Sequence, residues 1–292
     1  MMSSATRFAL ALNALLLVLL PMLLIATPGY SQEKYDGVYG TGAHQFILAT
    51  GSPGELGLLK AMGDAFAQKE DATLFWKKAG SGEALKLLKE KKIDAVMVHD
   101  PEGEAKAVKE GWAARRTLIG SNEFFIVGPE SDLAGISSAK TAVEAYQRIA
   151  SKQAKFLSRG DNSGTHKKEL AIWKKANLEP QGNWYQISGG FMKETLKRAN
   201  DEKAYFMTDS STWIMEKSNL PNLKVLFKGD KFLVNTYHAL CQPEKMTPGA
   251  DLAARFVEFV SSEKGQNIIR SYGKEQYGQA LYDDAAYARQ YE

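Results

Sequence analysis

Phe46-Ile47-Leu48-Ala49-Thr50, then Ala72-Thr73-Leu74-Phe75-Trp76, then Asp94-Ala95-Val96-Met97-Val98-His99 are short apolar runs, and the stretches between them decide the fold. Residues 53–69 and 83–91 repeat apolar positions at helical spacing, so the order reads strand, helix, strand, helix, strand. Strands joined by helical crossovers lie parallel, with helices on both faces of the sheet and ligands beyond the carboxyl ends of the strands. The loops that follow strands are where chemistry is expected.

A further strand at 124–128 ends at Pro129, and the polar stretch 130–138 suits a crossover. The alternation then resumes with helix 139–151, strand 155–157, helix 165–177, strand 184–187, helix 191–200 and strand 204–207. Residues 234–240 cross back, and helices over 250–261 and 264–272 return to the first region. The expected class is therefore α/β with two lobes, each a mixed sheet flanked by helices. Residues 32–129 with 235–292 form lobe I, 130–234 form lobe II, and the two crossovers make a hinge.

The run Ser158-Arg159-Gly160-Asp161-Asn162-Ser163-Gly164-Thr165-His166 joins a short strand to a helix. A helix start leaves unpaired N–H groups and a partial positive charge, a ready site for an anion. Arg159 adds a planar cation that matches two oxygens of an oxyanion at once. Ser163 and Thr165 add hydroxyl donors, and Gly164 a backbone N–H. The plainer reading is that Asp161 or Ser163 only caps the helix.

Other strand-to-helix loops carry similar groups. Thr50-Gly51-Ser52-Pro53-Gly54-Glu55 has a helix-start signature, with Ser52 as cap, Pro53 in the first turn and Glu55 three residues after the cap. In that reading Ser52 and Glu55 satisfy each other's backbone groups; in the functional one Thr50 and Ser52 donate to a ligand. Gly80-Ser81-Gly82-Glu83 and Ser188-Gly189-Gly190 also precede helices, so Ser81 and Ser188 are candidates as donors or as caps. For 208–212, capping is the favoured reading.

From about Gln45 to Gly278 the chain resembles the solute-binding components of ABC tungstate importers, the TupA type. The segments that carry the resemblance are Leu48-Ala49-Thr50, Gly80-Ser81-Gly82, Ala95-Val96-Met97-Val98-His99-Asp100-Pro101, Phe125-Ile126-Val127-Gly128-Pro129 and above all the stretch 158–169. The resemblance implies a type II periplasmic-binding-protein fold that closes on a tetrahedral oxyanion, tungstate or molybdate, and delivers it to the permease subunits in the membrane. The implied ligand set is Thr50, Ser52, Ser81, Arg159, Ser163, Gly164, Thr165 and Ser188, with no cofactor. Relatives carry a threonine-rich first loop, from which Thr50-Gly51-Ser52-Pro53 departs. Glu55 and Glu83 are acidic departures that keep phosphate, or another protonated oxyanion, open as the alternative ligand.

At 292 residues, with 44% hydrophobic and 24% charged side chains, the chain has the composition of a folded protein with room for two lobes. Arg7 followed by an apolar stretch over 8–25 and small residues near Ser31 reads as a cleavable export signal over 1–31. No cysteine stands there for a lipid anchor, so a free periplasmic protein, expected as a monomer, follows. Without 1–31, 36 basic side chains face 34 acidic ones, and the lysine pairs are spread along the chain. Nucleic-acid binding needs a clustered basic face, which is not there.

Cys241 is the lone cysteine, so no intrachain disulfide forms. His44, His99, His166 and His238 have no partner at metal-ligand spacing. An enzyme on this fold would need a nucleophile such as Ser163 with His166, or Cys241. Ser163 lacks the Gly-x-Ser-x-Gly turn, and a base three residues along one helix points poorly at its own cap. The expected chain is a binding protein, with no catalytic residue.

Overall fold

The computed structural model describes residues 34–292, so the export signal expected over 1–31 lies outside the described residues. Strands β1 (Gly37–Tyr39) and β2 (His44–Thr50) lead into the short helix α1 (Ser52–Glu55) and into α2 (Leu58–Glu70). Then come β3 (Ala72–Lys78), α3 (Ser81–Lys89), β4 (Ala95–Val98), α4 (Pro101–Lys109) and β5 (Ala114–Gly128). The middle of the chain holds α5 (Ala142–Ser151), β6 (Phe156–Ser158), α6 (Gly164–Lys175), β7 (Tyr185–Ile187), α7 (Met192–Glu202), β8 (Tyr205–Asp209), α8 (Ser210–Glu216) and β9 (Lys224–Phe227). Strand β10 (Val234–Cys241) returns, followed by α9 (Ala250–Ser261), α10 (Glu263–Ser271), α11 (Lys274–Tyr277), β11 (Asp283–Asp284) and α12 (Ala285–Ala288).

The strands form one mixed array in the order β1-β3-β2-β4-β10-β5-β8-β6-β7, with β9 and β11 also paired to β5. β2 runs parallel to β3 and β4, and β6 runs parallel to β7 and β8, while β10 is antiparallel to both β4 and β5. Alternate residues feed opposite faces: Phe46 and Leu48 of β2 join one core with Phe66 and Phe256, while Ile47 and Ala49 join another with Leu85 and Leu88. This two-faced burial is why the strands read as continuous apolar runs. In the middle region, Tyr205 and Met207 of β8 meet Tyr146, Phe156 and Trp173 on one face, while Phe206 meets Leu196 on the other.

Two local expectations are corrected. Residues 53–69 are not one helix: Gly57, at φ 85°, takes a left-handed turn between α1 and α2 that a side chain would resist. The strand expected at 124–128 is the last third of β5, which pairs with β10 from Ala114 to Glu123 before it meets β8 and β9. Arg115, Arg116, Ser121, Asn122 and Glu123 hid the earlier part. Arg116 binds the buried Glu104 (3.0 Å), and Asn122 is buried in a hydrogen-bond chain, so tertiary partners outweigh their polarity.

Candidate anion-binding site

The loop after β6 is shaped by two left-handed residues, Gly160 (φ 64°) and Asn162 (φ 57°), types that tolerate that conformation. It delivers Ser163 as N-cap of α6, its Oγ accepting from the His166 N–H (3.3 Å). Capping and exposure to a ligand are thus not exclusive, since Ser163 still has a proton to donate. Arg159 is only 4% exposed and pairs with Asp161, yet its Nε–H has no hydrogen-bond partner among the described residues. Burial alone would raise the Asp161 pKa, but Arg159 and the Ser163 hydrogen bonds outweigh it, so the carboxyl stays ionised below its ordinary value.

Arg159 lines a cavity of about 20 Å³ shared with Thr50, Ser52, Glu55, Ser81, Met97, His99, Ser163, Thr165, Phe191 and Tyr237. That volume is the room left for the centres of water-sized atoms, so the cavity suits a compact ligand of a few heavy atoms whose oxygens sit against the wall. The first turns of α3 and α6 end at this wall, with N–H groups that a helix cannot satisfy internally. A side chain at Gly80 would lie 3.1 Å from Ser163, and one at Gly82 would lie 2.5 Å from the Asn162 carbonyl oxygen. The two helix starts therefore touch, and elements remote in sequence enclose the cavity.

The expected ligand residues divide by where their protons go. Ser81 accepts from the His99 N–H (3.1 Å) and Ser163 from the His166 N–H, so both hydroxyl protons stay available. The buried Thr165 hydroxyl has no hydrogen-bond partner among the described residues. Thr50 instead donates to the Met97 carbonyl (2.8 Å) and Ser52 to Asp209 Oδ2 (3.1 Å), so these two lie at the wall with their protons engaged. The structure does not bring Gly164 or Ser188 to the wall itself. Gly164 sits against His99, where a Cβ would come within 2.5 Å of the imidazole, and Ser188 Oγ pairs with Thr195 Oγ1 (2.9 Å).

Ser52 is not the cap of α1: Gly51 holds that position and no side chain caps it, because Asp209 takes the Ser52 hydroxyl. Gly80, not Ser81, is the N-cap of α3. Glu55 is likewise not a capping partner but binds Lys78 Nζ at 2.5 Å, which offsets its charge beside the cavity. Glu83 is exposed near Lys86 (3.8 Å), away from the cavity wall.

His99 and Tyr237 were not among the expected site residues. Burial pushes the His99 pKa down to about 4, so the ring is neutral at pH 7 and donates from Nδ1 to Asn235 Oδ1 (2.8 Å). Asn235 donates on to Asn122 (2.8 Å), and Asn122 to Asp209 Oδ1 (3.3 Å) and to Ser211 (2.9 Å). With Ser52 on Asp209, a chain of polar side chains runs beneath the cavity from one wall to the other. His99 was detectable as the residue closing a strand. Tyr237 lies inside the apolar β10 and carries no such signal.

Ser163 and His166 do not form a nucleophile and base: the His166 Nδ1 accepts from the Asn162 N–H (3.1 Å), and its own N–H supplies the cap. Cys241 is fully buried, and burial pushes its thiol up to about 11, the reverse of an activated thiolate.

Residues 30–264 match the family described as PBP superfamily domain. The chain is 33% identical over 240 residues to the tungstate-binding protein TupA of Peptoclostridium acidaminophilum, covering 81% of this chain and 84% of that protein. Among solved structures it resembles the tungstate ABC transporter protein of Geobacter sulfurreducens, with TM-score 0.72 and 37% identity over 80% of this chain and all of that one. It also resembles the tungstate-binding protein of Desulfovibrio alaskensis, with TM-score 0.67 and 34% identity over 83% of this chain and 99% of that one.

Proposed function

We propose, from the premise that this chain belongs to the PBP superfamily, that it is the solute-binding component of an ABC importer for a fully deprotonated tetrahedral oxyanion, tungstate or molybdate. The observation that carries the reading is Arg159: a cation nearly sealed from solvent, with an unpartnered Nε–H, in the wall of a small cavity that also holds the unspent hydroxyl protons of Ser81, Ser163 and Thr165. Such a wall offers donors. Neutral His99 adds no second charge, and the engaged carboxylates of Asp161 and Asp209 do not oppose an anion freely.

The donors in this reading are Arg159, Ser81, Ser163 and Thr165, while Gly164, packed on His99, lets the start of α6 approach closely. Thr50 and Ser52 shape the wall, and Ser188 stands outside it. Residues 32–129 with 235–292 act as one lobe and 130–234 as the other, and the oxyanion is held between them. The relatives are named as binding components, and the role here is likewise capture and delivery to a permease rather than turnover, by a periplasmic monomer released from the leader over 1–31.

A second reading, a protonated oxyanion such as hydrogenphosphate, is favoured by one observation: Glu55 lines the cavity as a carboxylate acceptor. Its ion pair with Lys78 weighs against that use. Calorimetric titration of the ligand-stripped protein with tungstate, molybdate, sulfate and phosphate tests both. Tight tungstate or molybdate binding, weakened at least a hundredfold in Arg159→Ala, is expected, since a desolvated charge-assisted pair is lost. Phosphate preferred over both would favour the second reading, and no heat with any of the four would remove the function.

A further inference from the structure

We propose that Lys78 governs how long an oxyanion stays in the cavity, by clasping Glu55 and the ring of Phe191 at its mouth. The proposal rests on the oxyanion reading above. Lys78 is the last residue of β3, with its backbone N–H bound to Asp36 (2.8 Å). Its Nζ lies 2.5 Å from Glu55 Oε1 in α1, 3.6 Å from Glu194 Oε1 in α7, and 4.1 Å from the centroid of the Phe191 ring just before α7.

Three facts make these contacts more than surface pairing. Glu55 and Phe191 both line the cavity, so Lys78 holds two pieces of its wall together. β3 stands near one end of the strand order, whereas α7 follows β7 at the other end, so the contact exists only while the two ends fold over the cavity. Finally, Phe191 faces Arg159 as well, with the guanidinium 5.7 Å from the ring centroid. One ring thus lies within cation–π reach of both Lys78 and Arg159. With 21% of its side chain exposed, Lys78 is largely withdrawn from water, where cation–π attraction is stronger.

Lys78 also offsets Glu55, whose carboxylate would otherwise repel an arriving anion. The two roles separate when Glu55 is neutralised together with Lys78. Tungstate association and dissociation rates are measured by stopped-flow fluorescence on the full mature protein, for the wild type, Lys78→Met, Lys78→Arg and Glu55→Gln/Lys78→Met. The expected result is a roughly tenfold faster dissociation for Lys78→Met with a smaller change in association, near-normal dissociation for Lys78→Arg, and fast dissociation persisting in the double variant. Unchanged dissociation in Lys78→Met overturns the clasp, and so does a double variant restored to wild-type rates, which would leave Lys78 only a counter-charge. Should Lys78→Met lose its thermal transition, Phe191→Leu is measured instead, with the same expected rise in dissociation rate and an unchanged rate again overturning the proposal. A wild type that binds no oxyanion removes the underlying reading itself, a result distinct from binding with unaltered kinetics.

Discussion

Gly164 has no room for a side chain, because a Cβ there would meet the imidazole of His99 at 2.5 Å and its carbonyl oxygen at 2.6 Å. One is a ring wedged between Tyr237 and Phe124 and the other is backbone, so neither yields cheaply. Gly164→Ala is expected to cost about 1–3 kcal/mol and to push the start of α6 away from the cavity. Urea denaturation and oxyanion titration of the variant check both effects together. Glu169 and His99 titrate in opposite senses. Burial pushes Glu169 up from 4.5 to about 7, so its stabilising contribution is full below pH 4.5 and is lost as pH rises to 7. Burial pushes His99 down from 6.5 to about 4, so its contribution is full above pH 6.5 and is lost as pH falls to 4. Between 4.5 and 6.5 the two slopes cancel. Glu169→Gln unmasks the histidine, and its stability is expected to fall with acid by up to about 1.4 kcal/mol per pH unit relative to wild type. Denaturation at a series of pH values reads that slope.

The elements that were legible in the sequence are those whose burial or capping is written in their own residue types. β2, β3 and β4 show as apolar stretches because both of their faces are buried, and α6 shows through its cap and its spaced apolar residues. The signature Ser52-Pro53-x-Glu55 misleads, because both side chains have stronger partners far away in sequence, Asp209 and Lys78. The first two-thirds of β5 were hidden for the same reason. In the site, Arg159, Ser81, Ser163 and Thr165 could be found from strand-to-helix loops, while Tyr237 reaches it from within β10 and Asn122 and Asn235 lie beneath it on β5 and β10. Asp209 shows what such a distant partner is worth: it caps α8 through Thr212 N (2.8 Å) and also receives Thr212 Oγ1 (2.9 Å), Asn122 and Ser52. Asp209→Ala removes the cap and leaves buried donors unmatched. A loss of at least about 2 kcal/mol follows, measurable by chemical denaturation, with Ser52→Ala as the milder control.

Over the whole molecule, Asn122 and Asn235 lie directly opposite each other where β5 and β10 run side by side. The polar chain beneath the cavity therefore passes through the strands that join the two proposed lobes. Saturating tungstate at a hundred times its dissociation constant is expected to add about 2.7 kcal/mol to stability. A rise in thermal midpoint that scales with the logarithm of tungstate concentration would show it, and Arg159→Ala should abolish the rise. The position of β10 between β4 and β5 has a further outcome in time rather than in space. The core around Phe46 and Phe66 needs Phe256, Val260 and Leu281 to be sealed, so no early portion of the chain owns a finished interior. Contacts of such sequence separation form slowly, so the first strands wait for the last helices before their interior closes, whereas the middle region, whose core lies within residues 124–233, can close ahead of them.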